Sequence, residues 1–271
     1  MKIGYLGPDG TFSHTAALRF AKEGNHETVQ YQSIPELAAA AQNLSVDAAV
    51  LPIENSLEGG VNTTLDCLAF DCDLKITGEI LLQVHQNLLS NSEKIIKIYS
   101  HPQPVGQCGR YLAKNFPSVP IVFTNSTAEA AILAQKEEGA AAIGSDTLAD
   151  IYGLKIVAKD IEDANTNTTR FVVAQRDGKP DALADKTSIV FSVSDTPGAL
   201  FKMLSVFDIF EINLVKIESR PAKTVLGEYI FFVDISGSAE NDNIKMALET
   251  VRYKSTFFKV LGSYKEDKSG V

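Results

Sequence analysis

Three polar side chains, Glu54, Asn55 and Ser56, stand directly after an apolar run that ends at Ile53, and two glycines follow shortly after. The apolar run predicts a buried strand, and ligands in open α/β sheets bind just beyond the carboxyl ends of strands. Proline and glycine around such an end favour a defined turn. We therefore expect this polar cluster to form part of a binding or catalytic site.

A second polar segment follows the apolar run 95–99 in an equivalent position. It begins with Ser100 and His101, and Gln107 lies one turn into the helix that we predict next. A histidine beside a proline is more typical of a turn than of a base. We therefore take Ser100 and Gln107, rather than His101, as the candidates from this segment.

The densest polar run of the first part of the chain, 165–170, leads into an apolar strand that starts at Phe171. Arg170 can hold a carboxylate through two parallel hydrogen bonds, and the Thr169 hydroxyl can donate to a substrate oxygen. A solvated loop with a surface salt bridge is the simpler alternative. If this run lies with the other two polar segments at one interface between lobes, a binding or catalytic site is favoured over that alternative.

The loop 7–13 lies between the first predicted strand and the first predicted helix. Such a loop points backbone N–H groups and the positive end of the helix at an anion, which makes Thr11 and Ser13 candidates for substrate binding. A tight turn with one of them as the helix cap is the alternative. The loop lacks GxGxxG and the Walker lysine, so it does not favour a nucleotide.

Composition narrows the class of protein. The 271 residues are 45% hydrophobic and 22% charged, with a net charge of −9 and no basic stripe, so we expect no nucleic-acid partner. No apolar run approaches the roughly 20 residues that span a bilayer. The N-terminus reads as a strand rather than a signal peptide, so we expect a cytoplasmic location and no membrane partner. The three cysteines form no metal or disulfide pattern, which predicts buried free thiols.

The pattern of elements predicts an α/β protein with two parts. Strands and helices alternate over 1–178, as two lobes formed by 1–75 with 165–178 and by 76–164, with a cleft between them. A polar segment with Gly178 and Pro180 has the composition of a linker. Beyond it, 187–271 shows the order βαββαβ, which is the ferredoxin-like arrangement.

Together these motifs, in this order and spacing, resemble the prephenate dehydratase family over nearly the whole chain. The C-terminal part resembles the ACT domain of that family at Gly198-Ala199-Leu200 and at 218–221. The resemblance implies a catalytic fold similar to periplasmic binding proteins, followed by an ACT domain that binds phenylalanine. By position, the residues similar to the family's active site are Asn55, Ser100, Gln107, Thr169 and Arg170. We add Glu54 and Ser56 to the catalytic set, and Thr11, Ser13 and Phe171 as substrate-binding residues.

The resemblance also implies an activity. Prephenate would lose its hydroxyl and carbon dioxide to give phenylpyruvate, on the route to L-phenylalanine, with no cofactor and no metal. Arg170 would bind a substrate carboxylate, while Thr169, Ser100, Asn55 and Gln107 would donate hydrogen bonds. Glu54 would be either the proton donor or a structural carboxylate.

The same resemblance implies regulation by L-phenylalanine, bound between the ACT domains of neighbouring subunits in a dimer or tetramer. The expected effector residues are Gly198, Ala199, Leu200, Asn213, Glu218, Ser219, Arg220 and Pro221. Two other functions stay open at this point: arogenate dehydration on the same fold, and a sensor that binds a small molecule in the cleft without catalysis.

Overall fold

The computed structural model describes residues 1–22, 24–223 and 228–268. The predicted C-terminal domain, 187–271, is therefore described in part, since 224–227 and 269–271 lie outside the described residues. Among the described helices, none combines the length and the apolar character that a bilayer crossing needs.

The elements follow one another in three groups. The first lobe contains β1 (Lys2–Leu6), α1 (Phe12–Lys22), β2 (Glu27–Tyr31), α2 (Ile34–Gln42), β3 (Ala48–Asn55), β4 (Gly59–Gly60), α3 (Asn62–Asp66), a π-helical turn (Cys67–Asp71) and β5 (Lys75–Gln83). The second contains β6 (Asn87–Ser90), β7 (Lys97–Ser100), α4 (Pro102–Gln107), α5 (Gly109–Asn115), β8 (Ile121–Phe123), α6 (Thr127–Lys136), β9 (Ala140–Gly144), α7 (Asp146–Tyr152) and β10 (Lys155–Ala158). After β11 (Thr168–Gln175) come β12 (Lys186–Ser192), α8 (Ala199–Ile209), β13 (Leu214–Pro221), β14 (Tyr229–Ser236), α9 (Asp242–Lys254) and β15 (Phe257–Tyr264).

The first lobe is a sheet in the order β2-β1-β3-β11-β5, with β4 beside β3. Strands β1, β2 and β3 are parallel, whereas β11 returns from the second lobe and runs antiparallel to both β3 and β5. Residues 48–51 of β3 are wholly buried because apolar clusters cover both faces of the sheet. This double coverage is why the sequence shows a continuous apolar run there instead of alternation.

The second lobe is a sheet in the order β10-β6-β9-β7-β8. Alanines line both β9 and α6, and their small side chains let the helix pack closely on the strand. We expected the chain to leave the first lobe near residue 76, but β5 belongs to the first sheet through Gln83. The crossing therefore comes later, between Gln83 and Asn87. The expected fold class, two α/β lobes joined by two crossings, is confirmed.

The C-terminal part has the predicted βαββαβ order and forms an antiparallel sheet β13-β14-β12-β15. Helices α8 and α9 cover one face through Phe207, Val251 and their neighbours. The other face packs on the first lobe, so Phe232 and Tyr264 share a core with residues of the π-helical turn and β5. At Gly262 an added Cβ would lie 2.1 Å from the Ile76 carbonyl oxygen, and only glycine permits this approach of β15 to β5.

Candidate active site

A cleft of 410 Å³ lies between the two lobes, and most of its polar lining comes from strand ends and helix starts. The ends of β3 and β11 supply Asn55, Asn167, Thr169 and Phe171. The first turns of three helices, α1, α4 and α6, supply further lining residues. The cleft therefore lies at the carboxyl ends of strands in both lobes, as the sequence predicted, and also at the amino end of the antiparallel strand β11.

Asn55 and Thr169 form the most defined polar pair in this cleft. They lie opposite each other on β3 and β11, and Asn55 Nδ2 donates to Thr169 Oγ1 at 2.9 Å and to Asn167 Oδ1 at 2.8 Å. The other amide atom, Asn55 Oδ1, accepts from the backbone N–H groups of Leu57 and Glu58. Because the Thr169 oxygen accepts a hydrogen bond, its own proton is left to donate into the cleft.

Two glutamine amides form a second pair on the side of the second lobe. Gln86 Nε2 donates to Gln107 Oε1 at 3.1 Å, which leaves the Gln107 amino group available to a ligand. Gln86 Oε1 is buried and, among the described residues, has no hydrogen-bond partner. Since a buried polar atom without a partner is costly, this oxygen marks a place where a ligand hydrogen fits.

The cleft presents neutral donors rather than cations. Among the described residues, its lining includes no lysine and no arginine, and Glu58 is its one carboxylate. Positive potential comes instead from the starts of α1, at Thr11 to Ser13, and α6, at Ser126 and Thr127. The arrangement favours an anion held by backbone N–H groups and amides.

Two hydrogen bonds join the lobes near the cleft. Glu58, in the turn after β3, accepts from the Gln103 amide at the start of α4. Farther along, Ser145 Oγ donates to the Gly10 carbonyl oxygen at 3.1 Å. These bonds hold the two lobes near each other around the lining residues.

The structure brings six of the ten predicted catalytic and substrate-binding residues to the cleft: Thr11, Ser13, Asn55, Gln107, Thr169 and Phe171. The Thr11 hydroxyl proton is engaged within the loop, because Oγ1 donates to the backbone carbonyl oxygens of Leu6 and Pro8. It therefore shapes the loop, and the nearby backbone N–H groups are better placed to meet a ligand.

Arg170 is the main correction. Its guanidinium points away from the cleft, donating to Asp234 at 2.6 Å and to the Tyr264 hydroxyl at 2.8 Å. Its Nε also lies 2.9 Å from Glu79 Oε2, an ion pair without an aligned hydrogen bond. Burial opposes the charge, but Tyr264, Asp234 and Glu79 outweigh that effect and raise the pKa of Arg170. The physical reason for the misplacement is strand alternation: Thr169 faces the cleft, so the next side chain faces the other way.

Three more predicted residues stay outside the cleft lining. Glu54 points to the C-terminal sheet, 3.0 Å from Lys216 Nζ and 3.5 Å from Arg170 Nη1, and this placement favours the structural role over that of proton donor. Ser56 Oγ donates to the Thr166 carbonyl and accepts from the Thr168 N–H, which fastens the turn after β3 to β11. Ser100 is fully buried, and its hydroxyl donates to the His101 carbonyl.

Gln86, Gln103 and Asn167 line the cleft and were missed as candidates. Asn167 belongs to the polar run before β11, and its separation by two from Thr169 was a usable signal, since residues i and i+2 share a strand face. Gln86 had no such signal, because it lies in the crossing whose position the sequence did not reveal.

The expected effector residues occupy two ends of the C-terminal sheet. Ser192, which precedes the Gly198 loop, and Arg220 are both aligned with Ile230. Leu214, next to Asn213, is aligned with Ile235 at the opposite end, about 20 Å along the strand. Glu218 and Arg220 face the first lobe, where Arg220 pairs with Asp66 at 3.1 Å.

Comparison with known proteins agrees with this geometry. The family model described as prephenate dehydratase matches residues 3–179, which contain both lobes and the whole cleft. The chain belongs to the prephenate dehydratase family. The model described as ACT domain matches residues 187–252, within the C-terminal sheet and helices.

Individual relatives of this prephenate dehydratase family member cover nearly all of its length. It is 44% identical to a bifunctional chorismate mutase/prephenate dehydratase of Aquifex aeolicus, over 97% of this chain and 73% of that protein. It is 39% identical to a prephenate dehydratase of Bacillus subtilis, over 97% of this chain and 98% of that protein. Among solved structures, it matches a prephenate dehydratase from Arthrobacter aurescens in complex with L-Phe, with TM-score 0.90, 32% identity and coverage of 98% and 90%.

Proposed function

We propose that the cleft converts prephenate to phenylpyruvate by loss of its hydroxyl and its ring carboxylate, which makes the chain a carbon–oxygen lyase. The single observation that carries this proposal is the Asn55–Thr169 hydrogen bond, in which the threonine oxygen accepts and its own proton remains for a ligand. Aromatisation of the ring supplies the driving force. The protein's task is to help the hydroxyl leave as water.

Thr169 stabilises the departing oxygen as a hydrogen-bond donor, because a threonine hydroxyl is too weak an acid to give up its proton outright. Gln107 supplies a second donor on the opposite wall of the cleft. Oriented donors aimed at developing charge are an effective form of transition-state stabilisation, and removing one typically costs about 10²–10³ in turnover.

The absence of lysine and arginine from the described cleft lining fits a decarboxylation. A cation gripping the ring carboxylate would stabilise the ground state more than the transition state, in which that charge leaves the group. Helix N-termini and side-chain amides can orient the prephenate dianion while binding its ring carboxylate less tightly than a cation would. Arg170 would have been such a cation in the cleft. Because its guanidinium lies in the interface with the C-terminal sheet, it does not oppose the decarboxylation.

We further infer that L-phenylalanine regulates the enzyme from the ACT domain, at an interface between two chains. The Gly198 loop and Asn213 stand at opposite ends of one sheet, so a second chain is needed to surround one amino acid with both. Strand β13 is an edge of its sheet and exposes Val215 and Ile217, which suits side-by-side pairing of two copies. Light scattering of the purified chain tests this: a monomer that still responds to L-phenylalanine would contradict it.

The activity is tested by incubating the purified protein with prephenate and following phenylpyruvate absorbance. Arogenate is the matched substrate, since it carries an amino group where prephenate has a keto group. Its product would be phenylalanine, which is measured by chromatography instead of by phenylpyruvate absorbance. We expect phenylpyruvate from prephenate, with at least tenfold lower kcat/KM on arogenate. Binding of prephenate without product would support the sensor function and overturn the enzymatic one.

A further inference from the structure

Two pairs of neighbouring residues connect the cleft to the ACT sheet. On β3 the pair is Glu54 and Asn55, and on β11 it is Thr169 and Arg170. The strands align Asn55 with Thr169 and Glu54 with Arg170. In each pair one side chain lines the cleft and the other points to the ACT sheet, because consecutive residues of a strand face opposite sides.

The Arg170 side of this connection is buried and specific. Asp234 on β14 accepts from Arg170 Nη1 at 2.6 Å, and the Tyr264 hydroxyl on β15 accepts from Nη2 at 2.8 Å. Ser188 on β12 donates to Asp234 at 2.5 Å and bonds the Tyr264 hydroxyl at 2.6 Å. One guanidinium from the catalytic part is thus held by two strands of the ACT sheet, and Ser188 on a third strand holds both of its partners. Glu79 and Glu54 contact the same guanidinium from the first lobe.

The Glu54 side adds a second contact with the ACT domain. Lys216 on β13 lies 3.0 Å from Glu54 and 3.0 Å from Glu218. Glu218 is one of the effector residues that the resemblance implies, and its side chain faces the first lobe. The two connections therefore join the strands that carry Asn55 and Thr169 to β13, β14 and β15 of the ACT domain.

The pairing of β3 with β11 is also irregular at this point. Arg170 is aligned with Glu54, but Phe171 is aligned with Pro52, so Ile53 is an extra residue on β3. Such bulges redirect side chains and are common beside active sites. Here the bulge lets Asn55 and Pro52 both line the cleft, while Glu54 is directed to the ACT sheet.

We propose that Arg170 is a positioning residue that ties the Thr169 hydroxyl to the ACT sheet through Asp234 and Tyr264. This inference rests on the proposed function: the connection makes the rate of the dehydration step depend on the position of the ACT domain. The Glu54–Lys216 pair likewise makes the position of Asn55 depend on the ACT domain. A shift of β14 against the first lobe would move Arg170, and the adjoining Thr169 would lose its place opposite the leaving oxygen.

The test compares two cluster variants with a matched interface variant. Asp234→Asn removes the charge by which the ACT sheet holds Arg170, while Glu79 and Glu54 of the first lobe stay in place. Tyr264→Phe removes one hydroxyl with almost no change of shape. Lys259→Met is the control, because Lys259 also spans the two domains, donating to the Leu68 and Cys72 carbonyls, but these residues adjoin no side chain of the cleft. Measurements are kcat, KM, the inhibition constant for L-phenylalanine, and the melting temperature.

For both cluster variants we expect kcat to fall at least fivefold with KM for prephenate within threefold, and inhibition by L-phenylalanine to weaken at least fivefold. Lys259→Met should keep all three constants within twofold. If the cluster variants only melt earlier and keep wild-type constants, or if Lys259→Met changes the constants as much as they do, the proposal is overturned.

Hydrogen exchange supplies a readout that does not depend on turnover. L-Phenylalanine should change exchange of the amides of 167–170 in the wild type and in Lys259→Met, but not in Asp234→Asn or Tyr264→Phe. An unchanged response in both cluster variants would overturn the proposal. A wild type that makes no phenylpyruvate but shows the exchange response would sink the proposed function alone.

Discussion

Asn55 Nδ2 and Thr169 Oγ1 are 2.9 Å apart across the β3–β11 pairing, and in this bond the threonine oxygen accepts, so its proton is not directed at Asn55. The amide cannot rotate to reverse the bond, because its oxygen accepts two backbone N–H groups of the following turn. The pairing of β3 with β11 thus makes the Thr169 hydroxyl a hydrogen-bond donor in the cleft. Substitutions at Thr169 and Asn55 test this.

Removing the Thr169 hydroxyl should lower kcat by about a hundredfold to a thousandfold, the range for losing one oriented donor. Thr169→Val keeps the shape of the side chain, and Thr169→Ser is the matched control because it keeps the hydroxyl. Steady-state kinetics on prephenate checks the effect. A Thr169→Val enzyme within twofold of the wild type would show that this hydroxyl does not act on the leaving group.

Asn55→Asp should lower kcat nearly as much as loss of the Thr169 hydroxyl does, although it only replaces the amide NH2 group by an oxygen. An ionised carboxylate only accepts, so the Thr169 proton would turn toward residue 55 and away from the substrate. The retained oxygen still accepts from the turn, so the fold should persist. We expect kcat to drop at least thirtyfold, with circular dichroism and gel filtration unchanged. Full activity in the variant would contradict the assigned direction of this hydrogen bond.

Arg170→Met should destabilise the protein more than it weakens substrate binding. It leaves Asp234 buried without its cation and Glu79 with Lys186 alone, and breaking a buried ion pair costs about 3–5 kcal/mol in free energy of unfolding. Urea unfolding checks the loss. The control is Arg19→Met, which removes a partly exposed ion pair between the first lobe and Asp267 of the C-terminal segment. A KM increase above tenfold at unchanged stability would restore the sequence-based role of Arg170 in carboxylate binding.

His14 should make stability depend on pH near neutrality. Burial lowers the pKa of His14 below its usual 6.5, an effect that Asp9 opposes in part. The ring stacks on Tyr5, and Nδ1 accepts from the Gly10 N–H, which requires that nitrogen to be unprotonated. The unfolded chain then binds more protons than the folded one below pH 6.5, so stability falls as the pH drops through this value.

The expected slope is at most about 1.4 kcal/mol per pH unit from this one group. Urea unfolding at pH 7.5 and 5.5 measures it, and His14→Gln is the control because its amide oxygen can accept from Gly10 without titrating. The wild type should lose more stability between the two pH values than the variant does. Equal losses would show that His14 is free to protonate in the folded protein.

The cysteines show how far composition alone reaches. Their spacing predicts buried free thiols, and all three are free and buried. Burial raises the pKa of Cys108 to about 12 and that of Cys67 to about 11, so neither carries an appreciable thiolate fraction near neutral pH. The local sequence pattern was sufficient here because the prediction concerned only the burial of the cysteine side chains.

What the sequence by itself determined is the order of the elements, the family, and the strand ends that bring Asn55 and Thr169 together. These follow from hydrophobic period and turn chemistry, which are local properties. Only the tertiary structure decided the direction of Glu54 and Arg170. A one-residue alternation turns each side chain from one face to the other, and the ACT sheet packed on that far face supplies the buried partners that hold them there. The helix starts that replace a cation in the cleft likewise converge only when both lobes are assembled.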